Sequence, residues 1–322
     1  MSDVTIVEVA PRDGFQVVKP FIATDLKIQV AHALGETGIK RLEIGAFVSP
    51  KAIPQMADIT DVLAAFKPSR PVRTQVLVPN RRGFEAALAA GCREICWVLS
   101  LSESHNQNNV RRSVEQSFVE FEETWSEFGA DLMAPAANGE TGFLRFNFAT
   151  SFDCPFEGRI DEARVVAGVE RILKIAPKLE FGIADTTGRA ATDHVRLLFR
   201  DLVDRYQSDD VAFCFHGHDT YNLGVANALA AYESGVRVID GAAGGLGGCP
   251  FAPGASGNTA TEDLVFAFEH MGVDTGIDLA RLLDAADLAA NAAPEQAAGR
   301  IRGVPRARVL SGFGAAARGV AA

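Results

Sequence analysis

A closed (β/α)8 barrel of the TIM type, with additional helices at its C-terminal end, is the fold this α/β sequence predicts. Eight short apolar or β-branched runs alternate with amphipathic helical stretches over most of the 322 residues, and such alternation implies a parallel sheet. Eight units of this length suit a closed barrel. An open doubly wound sheet is the alternative. It is disfavoured because Ala10-Pro11-Arg12-Asp13-Gly14 follows the first strand, where a dinucleotide fold would carry a GxGxxG turn.

The eight strands are expected at residues 5–9, 41–46, 73–78, 94–99, 144–149, 180–184, 212–216 and 236–241. Thr24 is expected to cap a helix whose apolar face includes Leu26, Val30 and Leu34, with Gly35 and Gly38 near its stop. Val114, Phe118, Phe121, Trp125 and Phe128 recur at three- and four-residue steps, a helical stripe that packs on the core. Thr192 precedes Val195, Leu198 and Leu202 as Thr24 precedes its own helix. After residue 258 the pattern changes: 261–271 and 278–290 read as helices, and the tail from Pro294 is rich in Gly, Ala and Arg. The expectation is a catalytic barrel over 1–258 and an appendage over 259–322. The appendage caps the barrel or contacts another subunit rather than folding as an independent domain.

Composition narrows the partners. A formal net charge of −10 argues against nucleic acid or an anionic membrane surface. No apolar run has the length to span a bilayer, and the N-terminus runs straight into a strand pattern, so no signal peptide is expected. Five scattered cysteines are too few for a disulfide framework and point to a reducing, cytoplasmic setting. Cys92 and Cys96 have the spacing of a metal pair, but the run around Cys96 reads as a buried strand, so both are expected in the core.

The chemistry gathers at the strand ends. In Phe213-Cys214-Phe215-His216-Gly217-His218-Asp219, residues two apart share a face, so His216 and His218 point together, away from Phe213, Phe215 and Gly217. A barrel of this kind carries its reactive groups at the C-terminal ends of its strands. Those ends supply Arg12 and Asp13, Glu43, Asp185, and the two histidines; after the last strand come Gly244–Gly248, Cys249 and Asn258. Each has a bland reading: a helix cap for Asp13 or Asp185, an Arg12–Glu43 ion pair, a turn for Asn258. Buried ionisable groups are costly unless paired or bound to metal, and so many at one rim favour a site. One carboxylate (Asp13), two imidazoles (His216, His218) and an amide oxygen (Asn258) suit octahedral Mg²⁺ or Mn²⁺ better than structural zinc. Cys249, on a glycine-rich loop, is either a buried turn thiol or a proton donor; the exposed position favours the donor.

Residues 7–16, Phe47-Val48-Ser49-Pro50-Lys51 with Pro54-Gln55-Met56, His216-Gly217-His218-Asp219-Thr220-Tyr221, and the run from Gly245 to Asp263 resemble the hydroxymethylglutaryl-CoA lyase family over roughly residues 4 to 270. The resemblance implies that Asp13, His216, His218 and Asn258 hold the divalent metal, that Arg12 polarises a carbonyl, and that Cys249 and Glu43 are catalytic. It also implies that Asp185 and Thr186 lie at the substrate site, with Lys19 and Thr186 on its cofactor-binding part, and that His216 is a candidate for the first proton transfer. The implied reaction is a retro-Claisen cleavage of 3-hydroxy-3-methylglutaryl-CoA or a close analogue, in a homo-oligomer (dimer or higher) whose partner is a small acyl-CoA. The alternatives are a barrel aldolase or synthase acting on a 2-oxo acid, a lyase for longer-chain 3-hydroxy-3-carboxymethyl acyl-CoA, or a silent metal-binding barrel. Three features depart from the family pattern. Residues 134–143 form a longer connection; no cysteine follows Cys249, so redox control between subunits is not expected; and Ser102-Glu103-Ser104-His105-Asn106 differs on the catalytic rim, where it bears on the acyl group accepted.

Overall fold

The computed structural model describes residues 2–136, 139–248 and 257–311. Eight parallel strands close into a barrel: β1 (Thr5–Glu8), β2 (Arg41–Ala46), β3 (Arg73–Val78), β4 (Glu94–Ser100), β5 (Phe143–Ala149), β8 (Leu179–Asp185), β9 (Val211–Gly217) and β10 (Val238–Gly241). Between β5 and β8 a small antiparallel hairpin, β6 (Asp153–Cys154) with β7 (Gly158–Arg159), stands apart from the barrel. The ring otherwise follows chain order and closes where β1 pairs with β10.

The helices are α1 (Thr24–Gly35), α2 (Ile59–Ala65), α3 (Arg81–Ala89), α4 (Glu103–Val110), α5 (Val114–Met133), α6 (Glu162–Leu173), α7 (Thr192–Tyr206), α8 (Gly224–Glu233), α9 (Thr261–His270), α10 (Leu279–Ala292) and α11 (Arg306–Leu310). None of the described helices is long and apolar enough to cross a membrane. Residue 258, where the sequence divides barrel from appendage, lies between β10 and α9. Helix α9 packs on β1, β10 and α8, and α10 packs on α1 and on residues 243–245.

Alternation decides which side chains enter the barrel. On β5, Leu144, Phe146 and Phe148 turn outward into an aromatic layer in which Phe121 meets Phe146 edge-on at 4.7 Å. Phe118 and Phe121 of α5 are buried there, as the helical stripe predicts. Cys92 and Cys96 are buried, and burial pushes both thiols above their usual range, Cys92 to about 12.

Two expected caps are not made. Helix α1 begins at Thr24 itself, after Ala23, with no side-chain cap; the Thr24 hydroxyl donates instead to Asp58 Oδ2 at 2.8 Å. Helix α7 begins at Thr192 after Ala191, and the Thr192 hydroxyl donates to the Asn227 amide oxygen at 2.7 Å. In both cases a tertiary acceptor wins over the local backbone. The stretch 102–106 after β4 forms the N-cap and first turn of α4. Ser102 caps it by accepting from the His105 N–H, and buried Asn106 ties it to Ser100, Arg112, Ser113 and Ser117.

Candidate active site

The turn after β1 sets the site. The backbone N–H groups of Arg12, Asp13 and Gly14 all converge on the Val9 carbonyl, at 3.1, 2.7 and 3.3 Å, in a single π-helical turn over Ala10–Gly14. This bunching presents Arg12 and Asp13 side by side above the barrel mouth, both buried and ion-paired to each other. Arg12 also pairs with Glu43 of β2, which accepts from the Gln75 amide at 2.7 Å.

One strand beyond β10, the end of β9 and the residue after it deliver His216 and His218, their rings 5.3 Å apart. Their Nε2 atoms lie 3.8 and 3.6 Å from Asp13 Oδ2. Ligand atoms of Asp13, His216 and His218 all fall within 4.8 Å of one another. Asn258 arrives from the far end of the glycine-rich loop because residues 257–260 zip onto the strand ends. The Asp219 N–H donates to Gly257, Thr259 to Gly217, and Ala242 to Thr259, at 3.0, 2.9 and 3.0 Å. The Asn258 amide then donates to Asp13 Oδ2 (2.8 Å) and to the Leu246 carbonyl (3.0 Å).

Among the described residues, Asn258 Oδ1 and His218 Nδ1 have no hydrogen-bond partner. An orphaned amide oxygen beside a carboxylate and two imidazoles is what a bound cation would satisfy. The donor set of a carboxylate, two imidazoles and an amide oxygen therefore fits a divalent metal ion.

Electrostatics follow from this crowding. Burial opposes the charge on Asp13, but Arg12 and the two histidines outweigh it and hold the carboxyl far below the usual range. Burial likewise opposes the Arg12 cation, and Asp13 with Glu43 more than compensates, raising its pKa. The histidines diverge. Both are opposed by burial, yet Asp240 and Asp13 raise His216, whereas His218, next to His216, is lowered.

These groups open on a cavity of about 440 Å³ lined by Arg12, Asp13, Gln16, His216, His218, Thr186 and Gly248, with Leu77, Val98, Asn147, Ala149, Gly182 and Ala184 from the barrel interior. The lip opposite the histidines is α4, which contributes His105, Asn108 and Asn109. His105 is buried against Ser100 Oγ (Nδ1 at 2.5 Å), and burial lowers its pKa to about 4. Thr186 lines the cavity, its hydroxyl accepting from the Thr150 N–H at 2.8 Å.

Two expected residues stand elsewhere. Asp185 is fully buried and turned to the backbone, accepting from the N–H groups of Arg189 and Ala190 at 3.1 Å each; burial and nearby Asp153 raise its pKa to about 6. It holds the turn that carries Thr186 and does not line the cavity. Lys19 is exposed and also does not line it. Cys249 lies outside the described residues.

A buried circuit below the cavity is what sequence reasoning missed. Glu180 accepts from Arg41 (2.8 and 3.1 Å) and from Arg145 (2.5 Å). Arg145 reaches Asp240 at 2.8 and 3.0 Å, and Asp240 Oδ2 lies 3.1 Å from His216 Nδ1. On the other flank Arg41 donates to Gln75 at 2.9 Å, and Gln75 to Glu43. Arg12 and His216 therefore rest on one charged frame. One signal was available: Arg145 and Asn147 alternate with three large apolar residues on β5, so they face the barrel interior.

The HMGL-like family model matches residues 3–289. Among curated relatives, the (R)-citramalyl-CoA lyase of Chloroflexus aurantiacus is 42% identical over 299 residues, covering 89% of this chain and 90% of that protein. A hydroxymethylglutaryl-CoA lyase of Bacillus subtilis is 39% identical, covering 88% and 91%. An HMG-CoA lyase from Acinetobacter baumannii, solved with coenzyme A and 3-methylmalate, superposes with a TM-score of 0.85 at 37% identity, covering 94% of this chain and 95% of that one. With its closed barrel and its Asp-His-His cluster at the strand ends, this chain belongs to the HMGL-like family.

Proposed function

We propose that this chain is a divalent-metal-dependent carbon–carbon lyase that splits a 3-hydroxy acyl-CoA bearing a free carboxylate into acetyl-CoA and a keto acid. The observation that carries the reading is the convergence of Asp13, His216 and His218 beside Arg12 at the mouth of the cavity, with the orphaned Asn258 oxygen alongside. Asp13, His216, His218 and Asn258 would hold Mg²⁺ or Mn²⁺, which supplies Lewis acidity toward the substrate's hydroxyl and carboxylate.

The residues then divide the work. A base removes the hydroxyl proton; His216, the candidate the family resemblance offers, would have Nε2 on the metal and Nδ1 facing Asp240, so another group takes that role. The C2–C3 bond breaks with its electron pair passing to the thioester as an enolate. Arg12, kept cationic by Asp13 and Glu43, stabilises the enolate oxygen electrostatically. Cys249 returns a proton to the enolate carbon, releasing acetyl-CoA. Thr186, presented by the turn that Asp185 holds, positions the substrate. The keto product depends on the acyl group: acetoacetate from 3-hydroxy-3-methylglutaryl-CoA, pyruvate from citramalyl-CoA. The Chloroflexus relative supports the second substrate as strongly as the others support the first.

A cytoplasmic homo-oligomer acting on a soluble thioester is the setting this reading implies. Incubating the purified chain with Mn²⁺ and each of the two thioesters, and measuring acetoacetate, pyruvate and acetyl-CoA, tests the proposal. A keto acid formed in equal amount with acetyl-CoA supports it and names the substrate. No acetyl-CoA from either thioester overturns it.

A further inference from the structure

We propose that Asp240, anchored by Arg145, is a positioning residue that fixes the imidazole of His216 with its proton on Nδ1, leaving Nε2 as the atom offered to a cation. The inference rests on the metal-site reading above. It follows from a chain of groups with only one way to pair. Arg145 is fully buried and can only donate. Its Nε is committed to Glu180, and its Nη1 lies 2.8 and 3.0 Å from the two oxygens of Asp240. Asp240 is therefore held as a carboxylate that accepts, with a further donor in the Cys214 thiol at 3.2 Å from Oδ1. Facing such an acceptor at 3.1 Å, His216 Nδ1 has to carry the proton. Its Nε2 then points its lone pair toward Asp13 and the cavity. Outer carboxylates commonly fix the tautomer and orientation of metal-binding imidazoles in this way.

Asp240→Asn is the discriminating variant because it keeps shape and size while reversing the hydrogen-bond logic. Arg145 claims the single amide oxygen, so the NH₂ group turns toward His216 and shifts the proton to Nε2. The experiment is ¹⁵N NMR of the His216 ring in metal-free protein at mildly alkaline pH, paired with calorimetric titration of Mn²⁺. The expected results are an Nδ1-protonated ring in the parent, an Nε2-protonated ring in Asp240→Asn, and Mn²⁺ binding weakened about 10- to 100-fold in the variant. A parent ring protonated on Nε2 overturns the inference, and that measurement needs no variant to fold. A folded Asp240→Asn with the parent's tautomer and Mn²⁺ affinity overturns it equally. Failure of the parent to bind Mn²⁺ overturns the metal-site reading, while the tautomer readings still decide what Asp240 does.

Discussion

Replacing Gly247 by alanine tests how the root of the glycine-rich loop supports the site. Gly247 adopts φ +108°, a region that L side chains rarely occupy, and a Cβ there would lie 2.6 Å from Asn258 Nδ2 and 3.2 Å from the Asp13 carbonyl oxygen. The methyl group cannot enter without pushing the Asn258 amide off its bond to Asp13. Backbone strain of this kind costs about 1–3 kcal/mol, and a hydrogen bond to a buried carboxylate contributes about 1.5–3 kcal/mol. Together they predict a loss of about 2.5–6 kcal/mol. With a melting entropy of about 2.1 cal/mol/K per residue, the chain's 322 residues turn that loss into a Tm lower by roughly 4–9 °C. Differential scanning calorimetry of the metal-free proteins measures the shift, and Mn²⁺ titration should show weakened binding as Asn258 is displaced. A variant that melts with the parent and binds Mn²⁺ equally well would refute the argument, because the loop would then have room for a side chain.

Three further outcomes are expected. Glu262, buried at the start of α9 and accepting from the Gly244 N–H, has its pKa raised from 4.5 to about 8, chiefly by burial. The native state thus keeps a proton that the unfolded chain loses above pH 4.5, so stability falls as pH rises through about 8 and levels off beyond it. Glu8, raised to about 7, adds in the same direction, and Glu262→Gln should flatten the decline by on the order of a few kcal/mol; parallel Tm–pH curves for parent and variant contradict this. Cys249→Ser should leave Mn²⁺ binding intact and cut turnover by about 10²- to 10⁴-fold; turnover within a few-fold of the parent makes another group the proton donor. Shortening the 134–143 connection should preserve kcat and KM, because it joins α5 to β5 on the face opposite the reactive rim. A large loss of turnover with folding and assembly unchanged would place that connection at an active site.

The barrel was legible because its strands carry their signal locally. Runs such as 94–99 and 212–216 are apolar enough to be read without neighbours, and the ends of the first and seventh barrel strands deliver Asp13, His216 and His218 to one rim. What stayed hidden depends on closure of the ring. Arg145 and Asp240 are 95 positions apart, and nothing in either segment says that they meet. Thr24 and Thr192 were misread as caps because acceptors on other segments, Asp58 and Asn227, take their hydroxyls. Helix α4 lacks an apolar stripe and is held mainly by the amide of Asn106, a tertiary device that periodicity cannot register. The hairpin β6–β7 has strands of two residues each, too short for any alternation to appear. Asp185 sits where a strand-end carboxylate was expected, but its side chain is taken up by the turn at 188–190.

The central claim is that the Asp13, His216, His218 and Asn258 cluster makes this barrel a metal-dependent acyl-CoA lyase. Its most direct test is acetyl-CoA release from 3-hydroxy-3-methylglutaryl-CoA and citramalyl-CoA by the parent and by Asp13→Ala, each with Mn²⁺ and with excess chelator. The account predicts release from at least one thioester by the Mn²⁺-loaded parent alone, with no more than residual turnover after chelation or in Asp13→Ala. Undiminished turnover in chelator, or in Asp13→Ala, would contradict it.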